Sequence, residues 1–301
     1  MNLKAGQTKE AIWKFFVILC GLLMIALPVA IGIFLAIKGG ATFTTFHHSL
    51  GEFLFGSTWL PADSTSGGGQ VGAAVFIVGS LCVCGLALLI AVPFSMAAAI
   101  FMTEIAPGAG NKILRPAVEI FVGIPSVVYG WMGLTVLVPF LKAVFNLKMG
   151  QSVLAGGLVL AVMIFPSITT VAADAIRSVP VAARMAGYGL GATRWQVIRQ
   201  IVCPAARPGI LTGVILGLAR AFGEALAVAM VIGKAKIFPA NVFGQTSTMT
   251  TIIASGMSEL MEGGEAKAGL WTIAFVLFLI SLLFIALIHL ISARGEAKLR
   301  D

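Results

Sequence analysis

The chain has 301 residues, of which 59% are hydrophobic and only 11% charged, with a mean hydropathy of +1.03 and a net charge of +8. A soluble globular domain lies nearer half apolar and a quarter charged, so this composition excludes an ordinary soluble enzyme and indicates an all-α polytopic membrane protein. The basic excess is spread over short loops between apolar runs, a pattern that holds loops on one side of a membrane and forms no nucleic-acid-binding patch.

Lys4, Lys9 and Lys14 precede an apolar run over 15–37. A cleavable signal core spans only about 7–15 residues, so this run reads as a retained first span. A membrane-crossing helix needs about 20 apolar residues. Five further runs qualify, at 71–101, 117–141, 152–173, 209–232 and 270–291. The second is overlong and contains Pro93, which predicts a kink or an extension beyond the bilayer. With the N-terminus inside, thirteen lysines and arginines fall on the cytoplasmic side and six on the other, with Arg220 in the membrane. Positive-inside bias therefore predicts cytoplasmic termini.

Two outer loops are long. Residues 38–70 include the tract STSGGGQ, which reads as a flexible connector. Residues 234–269 include TSTMTTIIASGMSEL, whose helical spacing predicts an interfacial or re-entrant segment. His47 and His48 lack carboxylate or cysteine partners at ligand spacing, so no metal site is expected. Trp13, Trp59 and Trp271 sit near span boundaries and suggest an aromatic belt. Cys20, Cys82, Cys84 and Cys203 have neither zinc-site nor disulfide-framework spacing and read as small buried hydrophobes.

Within the third run, Gly123-Ile124-Pro125-Ser126 interrupts helix regularity. Backbone freed at membrane depth must face protein or a water-filled cavity. Ser126 and Tyr129 are thus candidate pathway residues, with a simple packing kink as the other account. Glu119 and Asp174 are expected at headgroup level, as partners of Arg115 and Arg177.

Between 173 and 209 the pattern becomes amphipathic. Met185, Tyr188, Trp195, Val197 and Ile201 alternate with Arg184, Arg194, Gln196, Arg199 and Gln200. This predicts two short helices, 181–188 and 193–200, joined at a Gly191 turn. Thr193 is placed to cap the second and Pro204 to end it. Such a pair either transmits force to a partner or rests on anionic headgroups.

In the fifth run Arg220 and Glu224 stand at i and i+4, hence on one helix face. A charge at bilayer centre costs at least about 2.5–3.5 kcal/mol, so both are expected to face protein or water. Arg220 is a candidate oxyanion ligand, since its guanidinium matches phosphate oxygens, with Glu224 holding it when no anion is present. A purely structural pair is the alternative.

The segment Ala186-Gly187-Tyr188-Gly189-Leu190-Gly191, followed by Ile201 and Cys203-Pro204, resembles the EAA loop of type I ABC importer permeases. Gly191, Ile201 and Pro204 match the motif glycine, isoleucine and proline. Met185 stands at the motif glutamate and Gly187 at its second alanine, leaving Arg184 as the neighbouring charge. GIPSVVYGWMG in the third run and ARAFGEALAVAMVIG in the fifth resemble phosphate-specific permeases of the PstC type. The resemblance covers about 70–292 and implies six transmembrane helices in the type I ABC importer permease (MetI-like) fold. It implies a first unit over 1–70, a permease core over 71–292 and a cytoplasmic tail over 293–301. In that family the loop docks on an ATPase, which here would involve Arg184, Met185, Ala186, Gly187, Gly191, Arg194, Ile201 and Pro204. The implied partners are a PstA-type permease, two ATP-binding subunits and a periplasmic phosphate-binding protein, in a bacterial inner membrane and its lipid. ATP and magnesium would be used by the ATPase, and no cofactor is expected on this chain, which has no G-x-x-x-x-G-K-[ST] segment.

Three other classes compete with a phosphate permease. A permease for another solute would leave Arg220–Glu224 structural. A membrane enzyme needs a convergent His/Asp/Ser or metal constellation that the spans lack, and a passive channel would not explain the amphipathic loop.

Overall fold

The computed structural model describes residues 3–62 and 64–297, with side chains described for 13–62 and 64–291. Lys298 and Arg300 of the tail lie outside the described residues, as do the side chains of Lys4, Lys9 and Arg294.

The first helix, α1 (Leu3–Thr44), is longer than the 15–37 apolar run, because nothing in its flanks terminates a helix. α2 (Leu50–Phe55) follows, begun by Ser49, whose hydroxyl accepts the Glu52 N–H. Two short strands, β1 (Trp59–Leu60) and β2 (Gln70–Val71), then pair antiparallel. The intervening STSGGGQ tract is not the free connector its composition predicts. Gly68 and Gly69 donate their N–H groups to the buried Glu265 carboxylate at 3.1 and 2.9 Å, and Ala62 does so at 2.7 Å. Gly67 and Gly68 have φ of +71° and +102°, the left-handed region that lets successive N–H groups converge on one anion.

α3 (Ala74–Ile100) passes through Pro93 without stopping and ends on a wide i→i+5 turn, Phe101–Ile105. α4 (Pro107–Ala109) and a second wide turn, Gly110–Leu114, lead into α5 (Arg115–Gly123). The chain breaks at Ile124-Pro125, then continues as α6 (Ser126–Met132), a wide turn (Gly133–Leu137) and α7 (Val138–Val144). The third span is therefore Ser126–Val144 and not 117–141, since the Pro125 break splits that run. α8 (Val153–Arg177) starts on Ser152, whose hydroxyl accepts the Ala155 N–H.

α9 (Val181–Gly189) and α10 (Arg194–Val197) form the amphipathic loop, turning at Gly191, where φ is +80°. Pro204 does not end the second helix. The wide turn Ile198–Val202 shifts the hydrogen-bond register ahead of it, and the chain runs on as α11 (Cys203–Gly223). α12 (Leu226–Val231), α13 (Met249–Gly256) and α14 (Glu265–Ala297) complete the fold.

Among the described residues six segments are long and apolar enough to cross a membrane: Trp13–Thr44, Ala74–Ile105, Ser126–Val144, Val153–Arg177, Arg194–Gly223 and Glu265–Ile291. The most buried is α8, which packs between α3 and α11. Small residues allow this closeness. Gly156 and Gly157 face Val83 and Leu86 of α3, while Gly209, Gly213 and Gly217 of α11 face Ala175, Val171 and Ile168 of α8. A glycine every fourth residue puts one smooth stripe on α11, so backbones approach and dispersion contacts multiply.

Two apolar clusters result. The larger unites α3, α8, α12 and α14, and the smaller gathers Ala99, Met102, Ile176, Val197 and Val202 at the loop end. Trp59 belongs to the first, edge-on to Phe76 at 5.2 Å, and so is a core residue and no part of a belt. Cys84 is buried, whereas Cys20 and Cys82 lie on exposed faces of their helices, contrary to the expectation for all apolar cysteines.

α1 packs mainly against α14. Thr42 and Thr272 share a hydroxyl hydrogen bond of 2.8 Å, and Thr272 donates to the Gly39 carbonyl at 2.7 Å. The remaining apolar surface of α1 is largely exposed.

Candidate translocation site and coupling surface

Two interrupted helices meet in the middle of the fold. α6 follows the Pro125 break and α12 follows the break at Glu224-Ala225, and the two pack against each other. Their contact requires glycine: a Cβ on Gly130 would lie 2.7 Å from the Ala227 Cα, and one on Gly133 would lie 2.8 Å from a Val231 methyl. Tyr129 is buried and donates its hydroxyl to the Phe121 carbonyl at 2.8 Å, bridging the Pro125 break. It also lines an apolar cavity of about 540 Å³ with Phe121, Met132, Phe140 and Val159. Ser126 opens α6 and is half-buried.

The fifth span differs from the sequence expectation. α11 ends at Gly223, and Glu224 is extended, with φ −76° and ψ 120°. Arg220 and Glu224 are thus not on one continuous helix face, and they form no ion pair among the described residues. Arg220 donates from Nη1 to the Ser167 hydroxyl of α8 at 2.8 Å. The Glu224 carboxylate accepts the Ala227 N–H at 3.1 Å, and its carbonyl accepts the Thr250 hydroxyl at 2.8 Å. The i,i+4 rule fails because it presumes an unbroken helix, and Gly223 ends this one.

α13 is neither free nor laid on a surface. Met249, Thr250, Thr251 and Ile252 are buried, and Thr248 caps the helix through a reciprocal bond with Thr251. The Met249 N–H donates to Ser80 of α3 at 3.0 Å, so this helix seats against the broken fifth span and α3 together.

At the opposite end, α9 and α10 present Met185, Tyr188, Leu190 and Trp195 outward, all exposed. Thr193 caps α10 as expected, accepting the Gln196 N–H while the Gln196 side chain accepts the Thr193 N–H at 2.7 Å. Gly187 is buried, and a Cβ there would come within 2.5 Å of Ile201 Cδ1. That contact accounts for glycine in place of the motif's second alanine. Ala186 is exposed, and Pro204 opens α11. Arg115–Glu119 and Arg177–Asp174 pair at 3.0 and 3.3 Å, as their spacing predicted.

Arg184 is turned inward, and so does not offer a free charge beside Met185. It donates to Glu104 Oε1 at 3.0 Å and to the Ile176 and Val179 carbonyls at 2.7 and 2.8 Å. Arg194 donates to the carbonyls of Glu104 and, at 2.8 Å, Ile105. Glu104 was missed in the sequence because it lies at the far end of an apolar run. A lone acidic residue just past an apolar run, in a chain whose loop over 177–207 is rich in arginine, was the available signal.

At the end of the fold away from α9 and α10, His48 Nε2 lies 2.8 Å from Glu265 Oε1, and its Nδ1 lies 3.5 Å from Glu52. The expectation that His48 lacks carboxylate partners is therefore overturned: folding brings Glu265 from 217 residues away, while Glu52 lies only four residues on. Among the described residues no cluster of His, Cys, Asp and Glu fits a metal ion.

Residues 91–296 match the model of the family described as "Binding-protein-dependent transport system inner membrane component". The chain belongs to this family. It is 49% identical over 290 residues to the "Probable ABC transporter permease protein YqgH" of Bacillus subtilis, covering 96% of this chain and 93% of that one. It is 35% identical to the "Phosphate transport system permease protein PstC" of Haemophilus influenzae, covering 95% and 94%. A bacterial alginate ABC transporter chain superposes with a TM-score of 0.64 over 96% of both chains at 15% identity, which supports the fold alone. The chain is thus a multi-pass ABC importer permease, a membrane subunit whose relatives are permeases. Its resemblance to PstC-type permeases, first carried by the loop and the two span motifs, extends over most of its length.

Proposed function

We propose that this permease forms half of the translocation pathway of an ATP-driven importer of inorganic phosphate. It would sit in a bacterial inner membrane with both termini cytoplasmic. A PstA-type permease would complete the pathway, two ATP-binding subunits using ATP and magnesium would dock on α9 and α10, and a periplasmic phosphate-binding protein would deliver the anion.

The observation that carries the reading is Arg220. It lies halfway along the 209–232 run, beside a helix break, and its one described hydrogen bond goes to a neutral hydroxyl. A guanidinium without a carboxylate in a spanning helix retains donors for a tetrahedral oxyanion, and the neighbouring breaks supply a site of the kind that discontinuous helices form. Glu224 sits across the break, where it limits how tightly an anion is held. The Arg220–Ser167 bond is also what a permease for another solute would need for packing α11 on α8.

Uptake of labelled phosphate by the assembled complex in vesicles separates these. Arg220→Gln is expected to abolish uptake with assembly and ATP hydrolysis retained. Wild-type uptake by the variant would make Arg220 structural, and no phosphate uptake by the unmodified complex would overturn the substrate.

A further inference from the structure

Glu104 collects contacts from three parts of the chain that are far apart in sequence. It stands on the wide turn that ends α3, and its side chain is only 9% exposed, facing Arg184 at 17%. Arg184 projects from α9 and, besides Glu104, holds the Ile176 carbonyl in the last turn of α8 and the Val179 carbonyl just beyond it. Arg194, at the start of α10, holds the last carbonyls of α3. Guanidinium groups at helix C-termini satisfy orphan carbonyls and complement the negative end of the helix dipole. Here the two groups do so for different helices and share one residue. α10 continues without interruption into α11, so the ends of α3, α8 and α11 converge on this point.

The apolar cluster beneath it has the same membership. Ala99 and Met102 come from the end of α3, Ile176 from α8, and Val197 and Val202 from the α10–α11 junction. Farther along, Ser95 of α3 donates to the Phe165 carbonyl of α8 at 3.1 Å, two residues before Ser167, the hydroxyl that Arg220 engages. A continuous series of bonded and packed groups therefore runs from the exposed loop surface to the candidate anion ligand.

We propose that Glu104 is a positioning residue for coupling: its clasp with Arg184 and Arg194 makes the loop helices and the ends of α3, α8 and α11 move as one body. This rests on the reading that α9 and α10 receive an ATPase. On that reading, force applied at Met185, Tyr188 and Trp195 reaches α3 through Glu104 as well as reaching α11 through the continuous backbone. Without the clasp, the loop can shift while α3 stays behind.

The test uses the whole complex with its ATP-binding partner in vesicles, with Glu104→Gln, Glu104→Asp and Arg194→Gln. For Glu104→Gln the expected result is normal assembly, ATP hydrolysis within about twofold of the unmodified complex, and phosphate moved per ATP reduced by about fivefold or more. Glu104→Asp, which keeps the charge, recovers most of the ratio, and Arg194→Gln, at an exposed position, gives a smaller loss. A second readout needs no transported solute. Hydrogen exchange in 101–105 and 181–197 is followed on adding a non-hydrolysable ATP analogue. Both segments respond together in the unmodified complex, whereas in Glu104→Gln only 181–197 responds.

Unchanged transport per ATP together with a joint exchange response in Glu104→Gln would overturn the proposal. So would equal losses of assembly, hydrolysis and uptake in all three variants, which would mark the clasp as fold support. Failure of the unmodified complex to move phosphate would overturn the substrate reading, and the exchange result would still decide this one.

Discussion

Replacing Glu265 by alanine should release the tract over 62–69 while leaving the spans intact. The carboxylate is fully buried at the start of α14 and accepts from Ala62, Gly68, Gly69 and His48, at 2.7, 3.1, 2.9 and 2.8 Å. Hydrogen bonds to a charged acceptor contribute about 1.5–3 kcal/mol each, and removing one partner of a buried charged group costs about 3–5 kcal/mol in total when donors are left behind. The three backbone donors lie on a surface tract, so they can return to water by opening it. That caps the loss at about 3 kcal/mol and localises it. Since each 1.4 kcal/mol is a tenfold change in an equilibrium, the Gly68 and Gly69 amides should exchange about 100-fold faster. Hydrogen exchange of the purified complex reads this directly. Glu262→Gln is the control, because that carboxylate is 81% exposed and bonds only Lys267 among the groups around α14. Lys267 holds the Glu262 carboxyl below the usual carboxylate range, chiefly by that hydrogen bond, without linking it to the tract. Exchange at Gly68 and Gly69 within about threefold of the unmodified protein would refute the view that Glu265 organises this loop.

Gly217→Val should disrupt the α11–α8 seam, since even its Cβ would sit 2.6 Å from Ile168 Cγ1; overpacking by about 1–3 kcal/mol should lower the melting temperature of the purified complex, with partial recovery in combination with Ile168→Ala. Thr193→Ala removes the hydroxyl half of the capping box and should weaken α10 by about 1 kcal/mol, seen as about fivefold faster exchange over 194–197. Tyr129→Phe loses the bond to the Phe121 carbonyl, about 0.5–1.5 kcal/mol, and should loosen 121–126 in exchange without preventing assembly. Ser167→Ala should leave Arg220 without its described partner, and on the phosphate reading uptake persists, whereas a structural Arg220 predicts impaired assembly.

What was legible in the sequence is what depends on local chemistry. The run over 152–173 closely predicts α8, because Ser152 caps one end and the apolar stretch has no break. Thr193 and Gly191 were readable for the same reason, as cap and turn chemistry act within a few residues. The errors arose where hydropathy continues across a backbone break. In 117–141 the interruption at Gly123–Ser126 was legible but the span bounds were drawn across it, and in 209–232 the break after Gly223 went unread, so Arg220 is separated from Glu224. The glycine stripe of Gly209, Gly213 and Gly217 was present in the sequence and went unused. The Glu265 nest and the Glu104 clasp were not legible, since each joins residues some 80 to 200 positions apart.

The seat of α1 also has a consequence for biogenesis. Its main neighbour, α14, is the last helix among the described residues, and the Thr42–Thr272 bond spans 230 residues. At a synthesis rate of about 5–20 residues per second, α1 waits about 10–50 s in the bilayer before its partner emerges. The first helix made is among the last to be docked. Without α14, α1 would lack that seat and the 62–69 tract would lack the Glu265 carboxylate that gathers it.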